Sequence, residues 1–149
     1  MDGGDPKKGG LFGLSRPLKE VFPFFADAGN QERITPPWLR FEVLTDFPVS
    51  IQEGTIIDYR LRIHGIAVRW RSEITVWDPP LRFVDMQRRG PCRKWIHEHF
   101  FIDCVNGSEI CDYVQYASPG RRLANLLFVQ QDVSKIVGYR TEKLRDLFY

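Results

Sequence analysis

The sequence has little of what marks several common classes of protein. Its three cysteines form no CxxC pair, and an odd count without close spacing argues against both a disulfide framework and a structural zinc site. The charges nearly cancel, with 21 Lys and Arg against 19 Asp and Glu. The basic residues are also scattered, so the concentrated positive surface that binds nucleic acid is not expected. We therefore expect reduced thiols, no nucleic-acid partner and a cytoplasmic location.

Long apolar runs are missing as well. No segment approaches the roughly 18 apolar residues of a membrane-spanning helix, and the opening MDGGDPKKGG has no apolar core like that of a signal peptide. Residues 1–10 offer nothing that could anchor them in a core, so we expect this segment to be disordered. Residues 11–149 are enough for a single domain that buries about two-thirds of its unfolded surface.

The rest of the chain shows two hydrophobic periods, one typical of helices and one typical of strands. Apolar residues repeat at helical spacing over 18–25, and a second short helix is expected over 30–35, before a pair of prolines. From 38 to 117 the period is two, which indicates six antiparallel strands, the first of them at WLRFEVL (38–44). After SPG the pattern is helical to the end of the chain. The sequence thus predicts an α+β domain closed by a long C-terminal helix.

One strand carries titratable side chains on the face that should be covered. In WIHEHFF the residues Trp95, His97, His99 and Phe101 fall on every second position. Two of the three histidines therefore share one face with two large aromatic rings. An apolar core would hold both imidazoles only if each were hydrogen-bonded. The pattern therefore indicates either a buried polar network or a binding site.

The neighbouring strands offer partners for these histidines. Alternation places Asp85 on the same face of one neighbour and Asp112 on the same face of the other. A carboxylate that accepts an N–H from His97 or His99 would fix the tautomer and leave the other ring nitrogen for a ligand. The other residues expected on this face are Ile66, Val68, Trp70, Ser72, Ile74, Val76, Phe83, Gln87, Ile110, Val114 and Tyr116.

Several segments resemble a known superfamily. They are WDPPLRFVDMQRRGP (77–91) and WIHEHFF, with further likeness over 21–44 and 111–144. Together they resemble the START-like, polyketide cyclase/dehydrase-like superfamily, also called SRPBCC. The resemblance implies the helix-grip fold: a curved antiparallel sheet of six to seven strands, two short helices, and a long C-terminal helix packed over a cavity. Members usually begin with a full strand, whereas here only LFGL (11–14) precedes the first helix, so a short first strand is expected.

Four roles remain open for His97, His99, Asp85 and Asp112. They could form a polar network that only fixes the strand register. They could anchor the polar end of a ligand. They could act as general acid and base in a cyclase, dehydratase or hydrolase. They could bind a metal, but the spacing suggests no further ligand, so neither a metal nor a cofactor is expected.

The predicted function is therefore the binding of a hydrophobic or aromatic small molecule, lipid- or polyketide-like, between the sheet and the C-terminal helix. An enzyme using the four polar residues is the alternative, and a protein-interaction module with a vestigial cavity is a third possibility. Both a monomer and a homodimer are compatible with the sequence. Trp38, which follows the proline pair, could gate the cavity. The residues predicted to contact the ligand are Trp38, Trp70, Phe83, Gln87, Trp95, Phe101 and Tyr116.

Overall fold

A computed structural model of the protein describes residues 7–46, 51–63, 65–90, 94–117 and 122–148, with the side chains of 7–9 and 122–133 outside the description. The strands are β1 (Lys7–Leu14), β2 (Glu42–Val43), β3 (Ile56–Ile63), β4 (Ile66–Asp78), β5 (Arg82–Arg89), β6 (Lys94–Cys104) and β7 (Gly107–Ala117). The helices are α1 (Leu18–Phe25) and α2 (Arg122–Leu147), and Ala28–Ile34 and Pro37–Leu39 form 3₁₀ helices.

The strands form one open antiparallel sheet in the order β1-β7-β6-β5-β4-β3-β2. From β3 to β7 each strand pairs with the next one in the chain, as in a meander. β6 and β7 are joined by a two-residue hairpin turn, because Cys104 pairs with Gly107. The predicted α+β class and antiparallel sheet are confirmed. No helix in the described ranges is long and apolar enough to cross a membrane.

An aromatic core lies between α1 and one face of the sheet. The apolar stripe of α1 is buried, and its Phe22 and Phe25 rings each lie 5.1 Å, centroid to centroid, from Phe101 of β6. Fully burying a side chain of this size contributes about 1.5–3 kcal/mol. Leu144 of α2 joins the same cluster and is fully buried. The C-terminal half of α2 therefore lies on the face that α1 covers.

The first strand is longer than the sequence predicts. β1 pairs with β7 over all eight of its residues, from Lys7 to Leu14. It therefore includes residues 7–10, which were assigned to a disordered segment, while residues 1–6 lie outside the described part of the chain. Pairing with a long neighbour overrides the low strand propensity of Lys and Gly. Burial of Phe12 and Leu14 sets the register.

The strand predicted at 38–44 is mostly a turn. Pro37–Leu39 is a 3₁₀ helix, and Arg40 adopts a positive φ of 47°, which no extended strand contains. Only Glu42–Val43 pairs with β3. Trp38 consequently lies in the turn, and 56% of its surface is exposed.

An irregularity in β4 changes which residues face the core. The pairing of β4 with β5 shifts between Ile74 and Val76. The predicted alternation therefore fails at Val76, and it is Trp77 whose ring packs against Phe22, 5.5 Å away, and Phe83, also 5.5 Å away. A bulge inserts one extra residue, so every later side chain of the strand changes face.

Candidate functional site

A buried polar network lies where β5, β6 and β7 run side by side. The strand register pairs Asp85 with His97 and His99 with Asp112. The hydrogen bonds run the other way, along the diagonals. His99 Nε2 lies 3.0 Å from Asp85 Oδ2, and His97 Nε2 lies 3.2 Å from Asp112 Oδ1. Through these bonds each imidazole contacts the carboxylate that lies diagonal to it, and the four residues share one face of the sheet, as their period of two predicts.

Ring stacking holds the two imidazoles in place. The rings of His97 and His99 are 3.8 Å apart, centroid to centroid, with an angle of 26° between their planes. On its other side His99 stacks on Phe83 at 4.1 Å and 16°. His99 is thus enclosed between two rings and is buried. Its orientation is set by packing as well as by hydrogen bonds.

Arg140 of α2 completes the network from the opposite side. Its Nη2 lies 3.2 Å from His99 Nδ1 and 3.6 Å from Asp112 Oδ1, and the side chain is buried. His99 Nδ1 is also 3.1 Å from Asp112 Oδ1. The sequence reasoning missed Arg140, although a signal exists: the residue precedes Leu144 by four positions, on the apolar stripe of the helix. A charged residue on that stripe indicates a partner on the sheet.

The network keeps both carboxylates ionised. Burial by itself raises the pKa of Asp112, but the charge of Arg140 and the hydrogen bonds from the two imidazoles hold this pKa well below its ordinary value of 3.8. Burial also raises the pKa of Asp85, yet the hydrogen bond from His99 and the surrounding positive charge lower it overall. At neutral pH both groups are therefore hydrogen-bond acceptors only.

His97 is held in its neutral form. Burial lowers the pKa of His97 from its ordinary value of 6.5, and the neighbouring His99 lowers it further. The hydrogen bond to Asp112 and the two carboxylate charges oppose this shift without overcoming it. A neutral imidazole whose Nε2 faces an ionised carboxylate carries its proton on Nε2. Nδ1 of His97 is then an acceptor.

Two side chains of the network are more exposed than the others. The side chains of His97 and Asp85 are 11% and 20% exposed, against 3% for His99 and 5% for Asp112. Trp95 lies two residues before His97 on the same face of β6. Asp85 and His97 are therefore more accessible to a small molecule than His99 and Asp112.

Three of the predicted contact residues form an aromatic group. The rings of Trp70 and Trp95 are 5.2 Å apart at 90°, and those of Trp95 and Tyr116 are 6.1 Å apart. Trp70 Nε1 donates a hydrogen bond to Ser72 Oγ at 3.1 Å. Gln87 pairs with Ser72 in the sheet. These residues belong to β4, β5, β6 and β7, and the last three of these strands carry the network.

The other three predicted contact residues lie elsewhere. Phe83 and Phe101 belong to the aromatic core and pack against Phe22 of α1. The Phe83 ring also stacks on His99. Trp38 packs against Tyr139 of α2, with the ring centroids 5.8 Å apart. This contact lies outside the network.

A metal centre fits these residues less well than a hydrogen-bonded network. One ligand atom each from Asp85, His97 and His99 lies within 4.8 Å of the others, which is the donor set of a two-histidine, one-carboxylate site. However, Nε2 of His97 and Nε2 of His99 each face a carboxylate at hydrogen-bond distance. The fixed charge of Arg140, 3.2 Å from His99 Nδ1, would also repel a cation.

Comparisons with known proteins bear on the fold. No protein-family model matches the chain, and no curated protein matches it. Among solved structures, a START superfamily protein from Mycobacterium smegmatis has a TM-score of 0.73 at 8% identity, covering 95% of this chain and 96% of that chain. Major latex-like protein 151 from Panax ginseng has a TM-score of 0.72 at 12% identity, covering 99% of both chains.

An enzyme has the same architecture. The Zhui aromatase/cyclase from Streptomyces sp. R1128 has a TM-score of 0.72 at 13% identity, covering 95% of this chain and 92% of that chain. At such identities the likeness concerns the fold alone. The helix-grip fold expected from the sequence is confirmed, over almost the full length of each of these chains.

Proposed function

We propose that the protein binds a hydrophobic or aromatic small molecule, lipid- or polyketide-like, between the sheet and α2. The observation that carries this proposal is a largely buried network of two carboxylates, two imidazoles and a guanidinium, in which Asp85 and His97 are the most exposed side chains. In this proposal the network anchors the polar end of the ligand. Trp70, Trp95 and Tyr116 receive its apolar part.

Energetics favour a ligand role over a purely structural one. Removing charged groups from water costs several kcal/mol per ion, and well-packed apolar residues of similar volume are often equally stabilising. A network that only aligned strands would be a costly solution, because the hairpin turns and the alternation already specify the register. A binding site, in contrast, needs a few oriented polar groups among apolar walls.

Paired measurements of stability and binding test the proposal. In His97→Gln and His99→Gln, loss of a ring leaves a buried carboxylate short of a donor, which should cost about 1–3 kcal/mol of unfolding free energy. The loss should be larger for His99, since both of its ring nitrogens have partners. A ligand anchor also predicts weaker binding of aromatic probes in His97→Gln. Glu98→Gln, on the outer face of the same strand, is the matched control and should change neither quantity.

Two results would contradict this function. The first is a parent protein that binds no member of a panel of aromatic and fatty probes and that carries no co-purified small molecule in native mass spectrometry. The second is a pair of histidine variants that lose stability while every probe affinity stays unchanged. The second result would assign the network to the strand register alone.

An acid–base enzyme is the second candidate. The observation in its favour is a neutral His97 whose Nε2 is oriented by an ionised carboxylate, which leaves Nδ1 available to take a proton. The reaction class would be a cyclisation or dehydration, as the name of the aromatase/cyclase neighbour suggests. If the protein is such an enzyme, His97→Gln should abolish turnover of a bound poly-β-keto substrate while still binding it. A carrier would show no turnover in either protein.

A further inference from the structure

The hydrogen bonds within the network leave few polar atoms for a ligand. Asp112 Oδ1 has three neighbours, which are His97 Nε2 at 3.2 Å, His99 Nδ1 at 3.1 Å and Arg140 Nη2 at 3.6 Å. Both ring nitrogens of His99 are engaged as well. On the two more exposed side chains, the polar atoms without such a partner are Nδ1 of His97 and the second carboxylate oxygen of Asp85.

Both of these atoms are acceptors. Asp85 is ionised and has no proton to donate. His97 is neutral with its proton on Nε2, which leaves a lone pair on Nδ1. Arg140 contacts His99 and Asp112 through Nη2, and its Nε has almost no accessible surface. The two most exposed side chains of the network therefore offer a ligand hydrogen-bond acceptors.

We infer that the site selects an aromatic ligand whose polar end is a hydrogen-bond donor, a phenolic or enolic hydroxyl, and that it discriminates against carboxylates. This inference rests on the proposed function and specifies the chemistry of its ligand. A hydroxyl group donates to Asp85 or to His97 Nδ1. A carboxylate would bring a second negative charge against the ionised Asp85, and it would lose its hydration on entry.

Four naphthalenes that differ in one substituent test the inference on the unmodified protein. They are 2-naphthol, 2-methoxynaphthalene, 2-naphthoate and 2-(aminomethyl)naphthalene, titrated calorimetrically at neutral pH. One hydrogen bond to an ionised group should make 2-naphthol bind about tenfold more tightly than its methyl ether. The carboxylate should bind more weakly than the ether. The aminomethyl compound is an ammonium cation at neutral pH, so it tests whether the site prefers a cation to a hydroxyl group.

Variants then assign the preference to residues. Asp85→Asn replaces one acceptor by an amide that can donate, so the ratio of the naphthol and naphthoate affinities should fall about tenfold. His97→Gln tests the other acceptor and provides a second variant should Asp85→Asn fail to fold. Glu98→Gln is the control on the outer face of β6 and should keep the parental ratio.

The outcomes separate this inference from the function on which it rests. If 2-naphthoate binds as tightly as 2-naphthol, or if the aminomethyl compound binds more than tenfold tighter than 2-naphthol, the hydroxyl preference is overturned and ligand binding stands. If the ratio is unchanged in both Asp85→Asn and His97→Gln, the assignment to these acceptors is overturned. If none of the four compounds binds, the proposed function fails and the inference fails with it.

Discussion

Replacing Arg140 by Met should strongly destabilise the protein at neutral pH. Arg140 is the permanent cation of the network, and its Nη2 lies 3.6 Å from Asp112 Oδ1. Met has a similar helix propensity and an apolar side chain of comparable length. The substitution therefore removes the charge and the hydrogen-bond donors while leaving α2 intact. What remains is an ionised Asp112 in a buried site.

The magnitude follows from two independent considerations. Coulomb's law at 3.6 Å gives about 5 kcal/mol for the pair at an effective dielectric constant of about 20. Breaking a buried ion pair by removing one partner typically costs about 3–5 kcal/mol. The two imidazoles still face Asp112 and absorb part of the loss, so we expect about 3 kcal/mol. A matched control is Arg145→Met, an exposed residue of the same helix, which should change stability by less than about 0.5 kcal/mol.

The pKa of Asp112 predicts how the stability difference between parent and variant depends on pH. Because the folded pKa of Asp112 lies well below 3.8, its ionisation stabilises the fold above the unfolded pKa, and this contribution is lost as the pH falls. Without Arg140 the folded pKa rises, so the contribution shrinks. The difference between parent and variant should therefore be largest at neutral pH and should narrow as the pH falls through about 4.

Urea unfolding at a series of pH values measures both quantities. The parent, Arg140→Met and Arg145→Met would be unfolded between about pH 7 and about pH 3, and the free energies extrapolated to water. A loss in Arg140→Met no larger than that in Arg145→Met would refute the reasoning. A difference that stays constant down to the lowest pH would also refute it, since it would show that the charge of Asp112 has no part in the effect.

Two further predictions concern other parts of the fold. Gly107 has a φ of 153°, and a Cβ at this position would clash with the carbonyl oxygen of Leu14. Thermal unfolding should therefore show that Gly107→Ala lowers the free energy of unfolding by about 1–3 kcal/mol. Gly138, in α2, has open space around it, and Gly138→Ala should instead stabilise the protein by about 0.5–1 kcal/mol; the opposite order of the two variants would contradict this account. Burial and the nearby Asp112 raise the pKa of Cys111, whereas Cys104 is exposed. Iodoacetamide should therefore alkylate Cys104 first, and mass spectrometry of the digested protein showing faster labelling of Cys111 would contradict this expectation.

Much of the architecture could be read from local patterns. The period of two predicts strands β3 to β7, and the helical period predicts α1 and α2. The side chains of residues 122–133, in the first turns of α2, lie outside the description. At the start of the chain the local pattern failed because of a long-range contact: β1 extends over residues 7–10, since β7 provides a partner along its whole length.

The candidate site, too, could be predicted only in part from the sequence. By itself, the sequence determined that His97 and His99 share one face of their strand, because alternation is a property of a single strand. The pairing with the neighbouring strands decided that Asp85 and Asp112 lie on that face too. Only the tertiary structure decided which carboxylate each imidazole meets, since diagonal contacts depend on the register between strands. The tertiary structure also places Arg140 next to His99, although Arg140 lies 41 positions later in the chain. No local periodicity specifies how a helix docks on a sheet, because docking is decided by side chains that are far apart in the sequence and adjacent only after folding.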